Sequence, residues 1–251
     1  MKEAIAIINQ KGGVGKSTTA LALGAGLSLK GHKVLLIDLD AQGNLTYTLG
    51  ANDTGLTVLE VLTGTATAKQ ATQHTSQGAV IPASPALAGA DTLLTAVGKE
   101  YKLKEATAPL KRLYDYIIID TPPALGILTI NALTACTWAI VTAQADAYSL
   151  KGIAQLHNTI GAVKEYCNSS LKVKGILLTR HNPRTVLSRD IADVIQRTAR
   201  GLNTKLFKVT IREAVAVREA QARQQDLFSY APKGTATEDY TAFIKELLKE
   251  D

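Results

Sequence analysis

The sequence predicts a doubly wound α/β fold, a mostly parallel twisted sheet with helices on both faces. Three observations carry this. Short, continuous apolar runs recur along the chain and alternate with helical patterns, as strands buried on both faces do. Apolar residues make up 46% of the 251 and aromatics only 5%, so the core is aliphatic and suits helices laid on parallel strands. A glycine-rich turn joins the first apolar run to the first helical pattern, where such sheets bind their ligands. With no repeats and no linkers, the chain reads as one domain over residues 1–251.

Taken in order, Ala4–Ile8 (AIAII) is a first buried strand. The glycine loop follows, then a helix from Lys16 to about Lys30, which Gly31 ends. Val34–Asp38 (VLLID) is the second strand, so the first 38 residues make one βαβ unit with a right-handed crossover. A short helix is expected at Val58–Leu62, and a strand with its turn at Gly78–Ser84. Tyr114–Asp120 (YDYIIID) is the most hydrophobic strand. Trp138–Ala143 and Lys174–Thr179 are further buried strands, separated by a helix from about Leu150 to Tyr166. The remainder predicts a helix over Arg184–Arg200, a strand at Leu206–Ile211 and a last helix at Glu238–Glu250.

The loop, NQKGGVGKST from Asn9 to Thr18, departs by one residue from the pattern Gly-x-x-x-x-Gly-Lys-Ser/Thr. Gly15, Lys16 and Ser17 fit. Gln10 stands where the first glycine belongs, and a second lysine, Lys11, follows it. A glycine turn between strand and helix aims backbone N–H groups and the positive helix end at one spot, which makes an anion site. Gly12, Gly13, Val14 and Gly15 would supply that backbone, and Lys16 would neutralise phosphate charge. Ser17, beside Thr18, would offer its hydroxyl to Mg²⁺. Asp38 and Asp40 close the second strand, and carboxylates at this edge of a parallel sheet face the ligand crevice. Asp40 can orient a Mg²⁺ water or an attacking water, while Gln42, Gly43 and Asn44 form a turn able to sense a terminal phosphate. Asp120, between YIII and TPP, would hold Mg²⁺ through water.

Composition excludes other chemistries. Cys136 and Cys167 show no Cys-x-x-Cys spacing and read as buried free thiols, which fits a reducing cytoplasm. The four histidines show no metal spacing. The amino terminus runs straight into AIAII without a leader, and no apolar run approaches the roughly 20 residues of a membrane span. The net charge of +6 is concentrated: Lys172–Arg223 holds 12 basic residues against 4 acidic. That excess suggests a polyanionic partner. On the helix from Arg184, steps of about 100° set Arg189 and Arg200 within about 20° of each other, opposite Ile191, Val194, Ile195 and Ala199. A solvated face would explain this helix alone. With Lys205, Arg212 and Arg218 added, a DNA surface explains the region better, and the absence of interleaved aromatics points to phosphate contact rather than base readout.

KGGVGKST, VLLIDLDAQGN and YDYIIIDTPP, in that order, resemble the ParA/Soj family of partition ATPases, within the deviant-Walker superclass that includes MinD. The likeness continues through ADAYSLKGI and GILLTRHNPRTVLSRDI, over nearly the whole chain. It implies an ATPase that uses ATP and Mg²⁺ and forms an ATP-dependent homodimer. Lys11 would then reach the partner subunit's phosphates and act as an arginine finger does in trans. The resemblance further implies binding to nonspecific double-stranded DNA, and release when a ParB-type centromere-binding protein stimulates hydrolysis. Localisation would be cytoplasmic and nucleoid-associated, with no membrane partner. The adenine pocket would fall near Asn182 and the turn Val209–Arg212. There the chain departs from the family: TIREAVAVREAQA (Thr210–Ala222) lacks the proline many members carry after the isoleucine and has Ala216 in place of an arginine. The loop begins at Asn9, which leaves no room ahead of it for a helix-turn-helix and argues against operator-specific repression.

Two other classes compete. A MinD-like membrane-cycling ATPase needs an amphipathic tail. AFIKELLKED places Phe243, Ile244, Leu247 and Leu248 on a helix, but two lysines against three carboxylates suit anionic lipid poorly. An iron–sulfur reductase or biosynthetic ligase is the third class, and Cys136 lacks the glycine-rich surroundings of a surface cluster ligand.

Overall fold

A computed structural model of the chain describes residues 3–181, 186–201 and 203–249. Seven strands form one sheet: β1 (Glu3–Ile8), β2 (Val34–Asp38), β3 (Gln73–Thr75), β4 (Gly78–Ile81), β5 (Tyr116–Asp120), β6 (Trp138–Ala143) and β7 (Lys172–Leu178). Their order is β3-β4-β2-β5-β1-β6-β7, parallel throughout except for the β3–β4 hairpin at one edge. Later strands lie on both sides of β1, so the winding reverses there and the loop after β1 opens into the crevice.

Along the chain the helices are α1 (Lys16–Leu29), α2 (Asn44–Thr48), α3 (Val58–Thr63), α4 (Ala68–Ala71), α5 (Ala90–Leu93), α6 (Lys102–Thr107), α7 (Ile127–Ala135), α8 (Ala147–Tyr166), α9 (Val186–Gly201), α10 (Val215–Ala222), α11 (Leu227–Tyr230) and α12 (Thr235–Leu248). Two cores lie on opposite faces of the sheet. In β1, Ala4, Ala6 and Ile8 belong to one and Ile5 and Ile7 to the other, the period of two that a strand imposes. The first core is covered by α3, α6, α7, α8 and α9, the second by α1 and α12. Gly26 lets α12 pack closely on α1: a Cβ there would stand 2.3 Å from Ile244 Cδ1.

The strand expected at Leu206–Ile211 does not form. Its ends alone pair with the edge of the sheet, through isolated bridges Ile176–Leu206 and His181–Arg212. Between them, the N–H groups of Lys208 and Val209 donate to the Glu246 carboxylate on α12, at 2.9 and 3.0 Å, rather than to β7. β4 stops at Ile81, and β3, α2, α4, α7, α10 and α11 go beyond the sequence reading. Cys136 is buried but Cys167 only half-buried, so the expectation of two buried thiols holds for the first alone. Among the described residues, no helix is long and apolar enough to cross a membrane.

Candidate active site

The loop after β1 is built to present backbone donors. Gly13 (φ 73°) and Gly15 (φ 76°) are left-handed, a conformation glycine adopts freely. Among the described residues, only Arg180, Asn203 and Gln224 have positive φ without being glycine. Gln10 therefore has an ordinary backbone, which is why the missing leading glycine does no harm. Thr179 Oγ1 donates to the Val14 carbonyl at 2.9 Å and fixes the loop from behind. α1 begins directly after Gly15 with no acidic residue in its first turn, so its positive end is not neutralised. Lys16 is buried and its Nζ donates to the Lys11 carbonyl at 3.0 Å. Burial lowers its pKa, while Asp120 and Asp40 pull it back up.

Two carboxylates lie side by side under this loop because Asp38 of β2 and Asp120 of β5 are register partners. Both are fully buried. Asp38 is satisfied: Oδ1 accepts from the Asp40 N–H at 3.0 Å, and Oδ2 accepts from Thr46 N and Thr46 Oγ1 at 2.9 and 2.8 Å. Burial still pushes its carboxyl up to about 6, against those hydrogen bonds. Neither Asp120 oxygen meets full hydrogen-bond geometry with a described residue, although the Ser17 hydroxyl stands close enough to act on it. Burial, then the Asp38 charge, push its carboxyl well above the usual range, with the Ser17 hydroxyl and the Lys16 charge opposing. A buried carboxylate with unspent oxygens beside a serine and a lysine is a place for a hydrated cation. Asp40 stands at the rim, its Oδ1 accepting from the Gln42 N–H at 3.1 Å.

Lys11 is engaged within its own chain. Its Nζ lies 2.5 Å from Asp146 Oδ2 and 3.3 Å from Gln144 Oε1, both in the segment after β6. Partial burial would raise the Asp146 carboxyl, but the Lys11 ammonium and the Ser149 N–H hold it below the usual range. Asp146 also caps α8, accepting from Ser149 N at 3.0 Å. Gln144 donates back to the Gly13 carbonyl at 3.2 Å.

A cleft of about 640 Å³ collects these groups. Gly12, Gly13, Gly15, Lys16, Ser17, Thr18 and Asp40 line one side, and Ile211, Arg212, Val217, Arg218 and Gln221 the other. The turn expected to hold a base is thus brought to the phosphate loop, while Asn182 lies outside the described residues. The basic residues are divided. Arg212 and Arg218 line the cleft, whereas Arg200 and Lys205 do not. Arg212 forks onto Asp239 at 2.7 and 2.9 Å and also meets Glu238. Arg200 is exposed, and Lys205 Nζ lies 4.8 Å from the centre of the Phe207 ring. Arg189 is in α9, but its side chain lies outside the described residues. Sequence reasoning gave no role to Asp146, Gln144, Thr179 or Gln221. For Asp146 alone there was a local signal, the capping pattern Asp-x-x-Ser.

Comparison with known proteins gives a consistent result. A family model described as an AAA domain matches residues 2–173. The chain is 40% identical to the sporulation initiation inhibitor protein Soj of Bacillus subtilis, covering 98% of both chains. It is 37% identical to the chromosome partitioning protein ParA of Myxococcus xanthus, over 98% of this chain and 88% of that one. Among solved structures, cobyrinic acid a,c-diamide synthase of Mycobacterium smegmatis with bound ADP and magnesium has TM-score 0.81 at 36% identity, covering 99% of this chain and 95% of that one. Apo McdA of Cyanothece has TM-score 0.85 at 25% identity, over 98% and 99% of the two chains.

Proposed function

The chain belongs to the ParA/Soj family of partition ATPases, and from that premise we propose that it hydrolyses ATP with Mg²⁺ in the cleft above the sheet and uses the ATP state to hold DNA. The solved relative with bound ADP and magnesium supports the choice of ligand. Bound Mg²⁺ would supply positive charge to the phosphates. Ser17 and Asp120 would hold it, a role supported by the two buried Asp120 oxygens that make no hydrogen bond among the described residues. The loop N–H groups and Lys16 bind and orient the phosphate tail. Asp40 would position water for attack, and Gln42 and Asn44, which line the same cleft, would sense the terminal phosphate.

The observation that carries the partition reading is the second lysine. Lys11 comes from the same loop as Lys16 yet sits half-exposed, with its ammonium turned to Asp146. Released from that pair, it is free to meet a partner subunit's phosphates, where a positive charge stabilises the transferring group. The ATP-bound homodimer then binds duplex DNA through phosphate contacts, and a ParB-type protein stimulates hydrolysis and releases it. The test compares DNA binding with ATP, with ADP and without nucleotide, for the native protein and Lys11→Ala. Binding should require ATP and vanish in the variant, which should still bind nucleotide as a monomer. DNA binding indifferent to nucleotide would refute the proposal.

The name of the Mycobacterium smegmatis structure raises a biosynthetic ligase as a second reading. A ligase would consume ATP only with its acid substrate present and would bind no DNA, so the same comparison separates the two.

A further inference from the structure

The short helix α2 follows the turn Gln42–Asn44 and is held at both ends by side chains. At its front, Thr46 is fastened to Asp38 by its N–H and its hydroxyl. At its back, the last carbonyls of a helix lack partners within the helix, and two glutamine amides reach them here. Gln77 Nε2 donates to Thr48 O at 2.7 Å, and Gln224 Nε2 donates at 2.9 Å to Tyr47 O, which also accepts from the Gly50 N–H at 3.0 Å. Gln77 Nε2 also donates to Gln224 O at 2.9 Å, which ties the two glutamines together. Three residues before Gln224, Gln221 Nε2 donates to Thr18 Oγ1 at 3.0 Å, in the first turn of α1. α10 and the turn after it thus run from the phosphate-loop helix to α2, alongside the cleft.

We propose that Gln77, Gln221 and Gln224 form an amide strap that positions α2 against the phosphate loop and slows nucleotide exit. The proposal rests on the reading that the cleft takes ATP, but not on DNA binding or on any partner. Two features show that these contacts are held against opposing free energy. Gln224 adopts φ 51°, in the left-handed region that side chains disfavour. Gln77 keeps Oε1 buried without a hydrogen-bond partner among the described residues. Strain of this sort persists where surrounding contacts over-determine it. Tyr47 links the strap to function, because it lines the main cleft and a second one of about 430 Å³ that Gln224 also lines. A shift of α2 therefore moves one wall of each. The glutamines reach carbonyls and a hydroxyl and act through α2 and α1, so they are positioning residues.

The decisive variant is Gln224→Gly, which removes the amide and the left-handed strain together. Melting temperature should stay level or rise, while release of a fluorescent (methylanthraniloyl) ADP quickens by about two- to tenfold, the weight of one such hydrogen bond. Gln77→Ala should quicken release similarly, and the double variant should fall short of the product of the two effects, since both hold one helix end. A purely local structural role for Gln224 would move the melting temperature and leave release unchanged. Native release rates in both single variants, with the fold intact and nucleotide bound, would overturn the strap alone. Failure of the native protein to bind the fluorescent nucleotide would overturn the reading of the cleft and the strap with it.

Discussion

Under the proposed role of Lys11 in trans, Asp146 would compete with the partner subunit for its ammonium, and Asp146→Asn should expose that competition. The Lys11–Asp146 pair is short, 2.5 Å, but its side chains are 34% and 32% exposed. An ion pair so open to water contributes about 0.5–1 kcal/mol. Each subunit must break its own pair before Lys11 can reach across, so a dimer loses two. Removing both should favour the ATP dimer by about 1–2 kcal/mol, a dissociation constant about 5- to 30-fold lower. Asparagine keeps an oxygen for the Ser149 N–H that Asp146 Oδ1 now accepts at 3.0 Å, so the α8 cap survives. The assay is sedimentation equilibrium with ATP, both proteins carrying Asp40→Ala so that hydrolysis does not drain the dimer. Raising salt should narrow the gap, because screening weakens the native pair. Equal or weaker dimerisation of the Asn variant would show that Asp146 does not restrain Lys11.

Asp40→Ala alone should still bind ATP yet hydrolyse it about a hundredfold or more slowly, since a positioned base or water ligand is lost; rapid turnover would contradict the role given to Asp40. Without metal or nucleotide, burial pushes the Asp38 carboxyl up to about 6, against 3.8 for the ordinary carboxyl, and burial with the Asp38 charge raises its neighbour Asp120 as well. The folded state then binds the extra proton, so stability should fall as pH rises from about 4 through about 6. Asp38→Asn should flatten that slope in melting curves taken with a chelator. Charge reversal at Arg189 and Arg200 should weaken binding to unrelated duplexes alike and reduce the salt slope by about 0.9 for each phosphate no longer neutralised, with ATP-dependent dimerisation intact. Unchanged DNA binding would move that surface elsewhere.

What the sequence revealed follows from where its information is local. β2 and β6 match their predicted bounds residue for residue, because strands covered on both faces are written as unbroken apolar runs. The phosphate loop was legible for the same reason, its donors being contiguous. α7 was not, since ILTINALTA mixes polar residues into a buried helix. Asn131 there is fully buried and spends its side-chain amide on Ile127 O within the helix and on Lys99 O and Leu103 N, the last two beyond any local window of sequence. The Lys11 latch is equally nonlocal, joining residues 135 apart. Charge counting sets 12 basic residues of Lys172–Arg223 against 4 acidic but cannot say which of them meet: Arg212 is forked onto Asp239, outside the counted stretch, and Arg180 pairs with Glu213 at 2.6 Å. Both also border the nucleotide cleft, as does Arg218. A charge already matched by a carboxylate releases few counterions on meeting a phosphate, and one at the cleft serves the nucleotide first. The DNA reading therefore turns on α9, where Ile195 and Ala199 are buried and Arg200 faces solvent. That places the two proposed charge reversals on a helix whose apolar residues Ile195 and Ala199 are already committed to the core.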